Sequence, residues 1–97
     1  MKISYSEDFI QQAEKLTPKL KVQLYEHIII FRDNPLHSKL RNHALKGKYS
    51  AYRSINITGD YRALYLQEED EAIFDKIGTH SQLYGWVDTV EPNEFGR

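Results

Sequence analysis

A change of hydrophobic period near Lys48 constrains this chain more than any other feature. Before it, apolar residues recur at helical spacing; after it, they alternate. Helices must therefore be laid down first and packed against a sheet made later. Phe9, Ile10, Ala13 and Leu16 form a first helical stripe. Ser6 stands before it as an N-cap, and Glu7 and Asp8 fill the first turn, where they suit the helix dipole. Thr17-Pro18 restarts the chain with a cap and a proline at the first helical position. Leu20, Leu24, Ile28 and Phe31 make the stripe of a second helix, which Asn34-Pro35 stops. The two segments predict an antiparallel helical hairpin. Lys2-Ile3-Ser4-Tyr5 ahead of it reads as a short strand.

From Lys48 onward, Tyr49, Ala51, Arg53, Ile55 and Ile57 fall on one face of a predicted strand, and Ser50, Tyr52, Ser54 and Asn56 on the other. Thr58-Gly59 makes a tight turn. Residues 60–67, rich in Tyr and Leu, suit a central strand. Residues 68–71 read as a hairpin turn, 72–77 as a further strand, Gly78-Thr79 as a bend and 80–84 as a loop or a single helical turn. The segment 87–97, with Pro92 and Gly96, reads as a loosely ordered tail. The order βααβββ predicts an α+β fold in a single domain over residues 1–97: an N-terminal strand, a helical hairpin, then a mainly antiparallel sheet with a short C-terminal helix or tail.

Composition narrows the function. The chain has no cysteine, which excludes disulfides, thiolate catalysis and cysteine-based zinc sites. Its longest apolar run, Ile28-Ile29-Ile30-Phe31, is far short of the roughly 20 residues a spanning helix needs. No signal-like segment opens the sequence, so a cytoplasmic protein without membrane association is expected. The net charge is -1. Its distribution is uneven: no Asp or Glu occurs between Asp33 and Asp60, where Lys39, Arg41, Lys46, Lys48 and Arg53 lie, while Glu68-Glu69-Asp70-Glu71 gathers acids. A local basic surface can coexist with a near-neutral total.

Four histidines invite a chemical reading: His27, His37, His43 and His80. His27 falls on the polar border of the second helix and His37 in a loop. His37 and His43 lack helical ligand spacing and a cysteine partner, so neither a metal nor a cofactor is expected. His43 is either a polar loop residue or an acid–base group, since an imidazole titrates near pH ~6.5. His80 follows a bend at a strand end, where a side chain can project into a cleft. Asp60 is either a turn residue or a catalytic acid. Ser81 is a poor nucleophile candidate, because adjacent Ser and His rarely face each other and no nucleophile-elbow sequence is present. Lys46, Lys48, Arg53, Arg62 and Lys76 can line a phosphate path, and Tyr49, Tyr52, Tyr61, Tyr84 and Trp86 can stack on unpaired bases. Tyr65 reads as core.

The runs Asn42-His43-Ala44-Leu45-Lys46-Gly47, Tyr52-Arg53, Gly59-Asp60-Tyr61-Arg62-Ala63-Leu64-Tyr65 and Gly78-Thr79-His80-Ser81-Gln82-Leu83-Tyr84 resemble the YafQ branch of the RelE-like toxins of type II toxin–antitoxin systems. The resemblance covers nearly the whole chain, and its final run is the most specific piece. It implies a RelE-like fold and an endoribonuclease that cuts messenger RNA, usually on the ribosome, and is held inactive by a cognate antitoxin. It also implies catalytic roles for His43, Asp60, His80 and Tyr84, with an aromatic at Tyr61. Lys46, Lys48, Arg53, Tyr61, Arg62 and Lys76 would contact RNA. Two positions depart from the family pattern: Asn56 stands where a histidine is usual, and Lys76 where an arginine is usual. Asn56 cannot titrate, and lysine lacks the two-pronged phosphate contact of arginine. The resulting expectation is metal-independent cleavage by the 2′-hydroxyl, with His80 as acid and His43 or Asp60 as base. The alternatives are a gyrase-binding toxin of the same fold, or a weakened toxin that binds RNA or antitoxin.

Overall fold

The computed structural model describes residues 1–84; the side chain of Tyr84 and residues 85–97, with Trp86 and the tail, lie outside the described residues. Both helix caps form as their sequences dictate. Phe9 N–H donates to Ser6 Oγ at 3.1 Å and opens α1 (Glu7–Glu14). Leu20 N–H donates to Thr17 Oγ1 at 3.2 Å and opens α2 (Pro18–Asp33). A five-stranded sheet follows the order β1-β5-β4-β3-β2. Its strands are β1 (Lys2–Tyr5), β2 (His43–Ala44), β3 (Tyr52–Thr58), β4 (Tyr61–Glu68) and β5 (Glu71–Thr79). β1 lies parallel to β5, and every other pair is antiparallel. A five-residue helix, α3 (His80–Tyr84), closes the described chain.

α1 and α2 cover one face of the sheet. Phe31 meets Tyr65 and Phe74 edge-on, with ring centres 4.9 and 5.1 Å apart, and Phe9 lies 5.8 Å from Phe74. Ile55, Ile57, Ala63 and Ile77 complete this core. Each large side chain buried here stabilises the fold by about 1.5–3 kcal/mol.

The second sheet face differs from the sequence expectation. β3 starts at Tyr52, not Lys48. Gly47, at φ +61, turns the chain into a 3-10 turn over Gly47–Tyr49. Tyr49 thereby leaves the predicted strand and crosses to the opposite face from Arg53 and Ile55. There it packs with Leu45, Leu64, Leu83 and Tyr52 in a small second core. β2, only two residues long, is too short to leave a periodic signal.

Two bulges interrupt the ladders. Asn56 pairs with Arg62 but Thr58 with Tyr61, so Ile57 is an extra residue. Leu64 pairs with Lys76 but Tyr65 with Phe74, so Asp75 is another. Among the described residues no helix is long and apolar enough to cross a membrane.

Candidate active site

Residues directly opposite one another in a ladder share a sheet face. One row on the face away from the helices therefore runs His43, Ser54, Leu64, Lys76. The next row runs Asn56, Arg62, Gly78. Asn56 is the diagonal neighbour of His43, at a backbone separation on the order of 7 Å. The β3–β4 turn bounds this end of the face, and His80 N–H donates to the Asp60 carbonyl at 3.0 Å. Arg62 Nη1 donates to the Gly59 carbonyl in the same turn at 3.1 Å. His43 and His80 flank the site from β2 and from the end of β5, three strand spacings (~14 Å) apart across the sheet and about four residues (~13 Å) out of step along the strands.

His43 is exposed, and its Nδ1 lies 2.9 Å from the Arg41 carbonyl. A carbonyl only accepts, so Nδ1 carries the hydrogen and the neutral ring keeps its lone pair on Nε2. Arg41 holds its carbonyl there through a left-handed backbone, φ +50. The next residue anchors the segment. Asn42 Nδ2 donates to Tyr65 Oη at 2.8 Å and to the Pro35 carbonyl at 3.0 Å, and Asn42 Oδ1 accepts from Arg53 Nε at 2.8 Å.

His80 is presented by a reciprocal cap. Gln82 N–H donates to Thr79 Oγ1 at 3.0 Å, and Thr79 N–H donates to Gln82 Oε1 at 2.9 Å. This Thr-x-x-Gln capping box fixes the first turn of α3. A Cβ on Gly78 would sit 2.9 Å from Gln82 Oε1, so glycine keeps the box closed. Leu83 anchors the same turn in the second core, where Tyr49 Oη donates to its carbonyl at 3.2 Å.

The Asp75 bulge carries a further cluster. Tyr52 Oη donates to Asp75 Oδ2 at 2.6 Å, and Lys76 Nζ lies 3.7 Å from the same oxygen. Burial pushes the Asp75 carboxyl up, but the Tyr52 hydrogen bond, Ser6 and the Lys76 ammonium outweigh it and hold the group below its ordinary value. Burial and the bond to Asp75 push the Tyr52 phenol up to about 12. Ser54 is fully buried, and its hydroxyl has no hydrogen-bond partner.

The expected site residues thus divide. His43, Arg62 and Lys76 share one face, and Asp60 and His80 border it. Lys46 and Lys48 are exposed on the strap between β2 and β3. Arg53 pairs with Tyr65 on the helix side, where Asn42 holds it. Tyr61 also faces that side and packs against the main core. Tyr84 ends α3, and its side chain lies outside the described residues. Among the described residues, no three His, Asp or Glu side chains gather as a metal site. Sequence reasoning passed over Asp75, gave Asn42 no role of its own and read Tyr52 as a stacking surface, whereas the structure makes Tyr52 a donor to Asp75 and Asn42 a tie to Tyr65 and Arg53. The Thr79-to-Gln82 box was legible as Thr-x-x-Gln, whereas a bulge at Asp75 has no such signature.

Residues 1–85 match the sequence model of the family described as bacterial toxin of type II toxin-antitoxin system, YafQ. The chain is 31% identical to toxin YafQ of Haemophilus influenzae, over 84% of this chain and 90% of that protein. It is 29% identical to the mRNA interferase toxin YafQ of Escherichia coli K12, over 84% and 88% of the two chains. Its fold superposes on the toxin in the E. coli DinJ–YafQ complex with a TM-score of 0.63, at 25% identity, over 86% of this chain and 97% of the other. The fold is that of the RelE-like toxins, and the chain belongs to the YafQ family of type II toxins.

Proposed function

We propose that this toxin is an endoribonuclease that cuts messenger RNA engaged on the ribosome, and that a cognate antitoxin silences it. The E. coli relative is an mRNA interferase by name, and one of the solved E. coli YafQ structures is a complex with DinJ. What carries the chemical reading is the fixed tautomer of His43 on a face shared with Arg62 and Lys76. A neutral imidazole with a free Nε2 lone pair is a base.

In the proposed step, His43 Nε2 takes the proton of a ribose 2′-hydroxyl. The 2′-oxygen attacks the adjacent phosphorus, and the bond from phosphorus to the 5′-oxygen breaks. His80, as imidazolium, gives its proton to that leaving oxygen. The products are a 2′,3′-cyclic phosphate and a 5′-hydroxyl. Arg62 and Lys76 stabilise the negative charge that builds on the phosphoryl oxygens. Asp60 orients the His80 end of the site. Base and acid on opposite sides of the phosphorus suit an in-line displacement. Each contributes about 10²–10⁴-fold. Asn56 lies between them and supplies a hydrogen bond but no proton transfer.

The test is induced expression of the native chain and of His80→Ala in a bacterial host, with primer extension on abundant messages. Growth arrest with new RNA ends is expected for the native chain. Loss of both is expected for the variant, with purified cleavage slowed by at least about tenfold. Arrest without new ends would overturn the nuclease reading in favour of a protein target such as gyrase.

A further inference from the structure

Each histidine and cation of the proposed step has a tether. The Arg41 carbonyl holds His43, the Thr79–Gln82 box presents His80, and the Gly59 carbonyl holds Arg62. Lys76 is the member whose tether has no role yet. A lysine carries a point charge on a flexible four-carbon stem, so its ammonium stands in one place only if something outside the stem holds it. The group in reach is Asp75, whose Oδ2 lies 3.7 Å from Lys76 Nζ.

Neighbours on a regular strand point to opposite faces. Asp75 and Lys76 do not. Phe74 pairs with Tyr65 on the helix side, Lys76 pairs with Leu64 on the other, and Asp75 is the residue inserted between them. The Asp75 carboxylate accepts from Tyr52, which packs against the second core. The bulge therefore sets an acid and a cation side by side on the site face, where an unbroken ladder would separate them.

The carboxylate is itself fixed. Tyr52 Oη donates to Asp75 Oδ2 at 2.6 Å, and the Tyr52 ring lies edge-on to Tyr49 at 5.8 Å. Ser6 Oγ donates to the Asp75 carbonyl at 3.1 Å and accepts from Phe9 N–H, so the start of α1 pins the backbone of the bulge. Side-chain exposures of 32% for Lys76 and 22% for Asp75 leave the pair partly screened. An ion pair between two free side chains is worth little. Here one partner is already immobile, so closing the pair costs the freedom of Lys76 alone. An ammonium has three donors. One can face Asp75, and two are left for phosphoryl oxygens.

We propose that Asp75 is a positioning residue for the cleavage step. Its carboxylate, fixed by Tyr52, holds the Lys76 ammonium in one orientation on the site face, ready for the charge that builds on the phosphoryl oxygens. Asp75 touches no substrate and acts through Lys76. The proposal rests on the ribonuclease reading for its effect on rate, and on the free chain alone for its effect on Lys76.

Carbon-13 relaxation of the lysine ε-methylene groups in the full chain tests the tether without RNA. Lys76 should be more ordered than the exposed Lys46 and Lys48. Asp75→Asn keeps an acceptor for Tyr52 and should make Lys76 as mobile as they are. Cleavage kinetics test the consequence. Asp75→Asn should lower kcat by about tenfold, with KM unchanged or lower because Lys76 keeps its full charge. In a Lys76→Gln background the same change should move kcat by less than about twofold, since no ammonium remains to be positioned. Tyr52→Phe leaves the ion pair itself but frees the carboxylate. It should loosen Lys76 and slow kcat by about threefold, an independent route to the same readouts. Equal losses from Asp75→Asn in both backgrounds would make Asp75 a structural residue only and overturn the proposal. A Lys76 already mobile in the native chain would overturn it too. Cleavage that Asp75→Asn leaves unchanged would sink the positioning role alone. An ordered Lys76 that Asp75→Asn releases, in a chain that cuts no RNA, would sink the ribonuclease reading alone.

Discussion

Asp75 and Tyr52 show how one inserted residue creates a titrating pair. The bulge lets Asp75 reach the Tyr52 hydroxyl across the sheet, and the two partners shift in opposite directions, as a phenol donating to a carboxylate must. Tyr52→Phe should lower stability by about 1 kcal/mol at neutral pH, a modest value because both groups are partly exposed. The pH dependence has two arms. The Asp75 carboxyl is held low when folded, so its contribution is present above its unfolded value near ~3.9 and is lost as pH falls through the folded value. The Tyr52 phenol is raised to about 12, so its contribution is complete below ~10 and is lost as pH rises through the folded value. Denaturant unfolding of both proteins from acid to alkaline pH would check this. A difference that stays constant across the whole range would remove the pair as a stabilising unit. Asp75 drew no notice in the sequence because a lone acid in a strand looks the same with or without a bulge.

At the scale of elements, α3 is too short to be stable by itself and exists because its ends are tied. The Thr79–Gln82 box holds its start, and Leu83 holds its body in the second core. Gly78→Ala places a methyl group against Gln82 Oε1 and should break the return bond to Thr79. The expected cost is about 1 kcal/mol of stability. Cleavage should fall further than stability, because His80 opens this turn. Thermal melts paired with an RNA cleavage assay would test the prediction, and full activity in the variant would refute it. Of the two expectations for 80–84, a loop or a single helical turn, the structure takes the helical one, and the Thr-x-x-Gln box is the reason.

For the whole molecule, the decisive tie is Asn42. It joins the strap after α2 to the central strands through Tyr65 and Arg53, and thereby sets where His43 stands relative to the sheet. Asn42→Ala leaves the Tyr65 hydroxyl, on a residue 2% exposed, without this partner and should cost about 2 kcal/mol. Cleavage should fall as well, although Asn42 itself touches no substrate in the proposed step. Denaturation and activity measured together would reveal it; a stable variant with normal cleavage would contradict the tie. Arg53 illustrates the same point: its charge read as phosphate-binding, yet its place opposite Tyr65 directs it to Asn42. By itself the sequence determined the helical hairpin, its caps and the three long strands. Those features are local, written in hydrophobic period and cap chemistry within a few residues. Tertiary structure alone decided the second core under Tyr49, the two bulges, and which cations and tyrosines share a face with His43 and His80. A side chain's face depends on register across strands, and a single inserted residue reverses it.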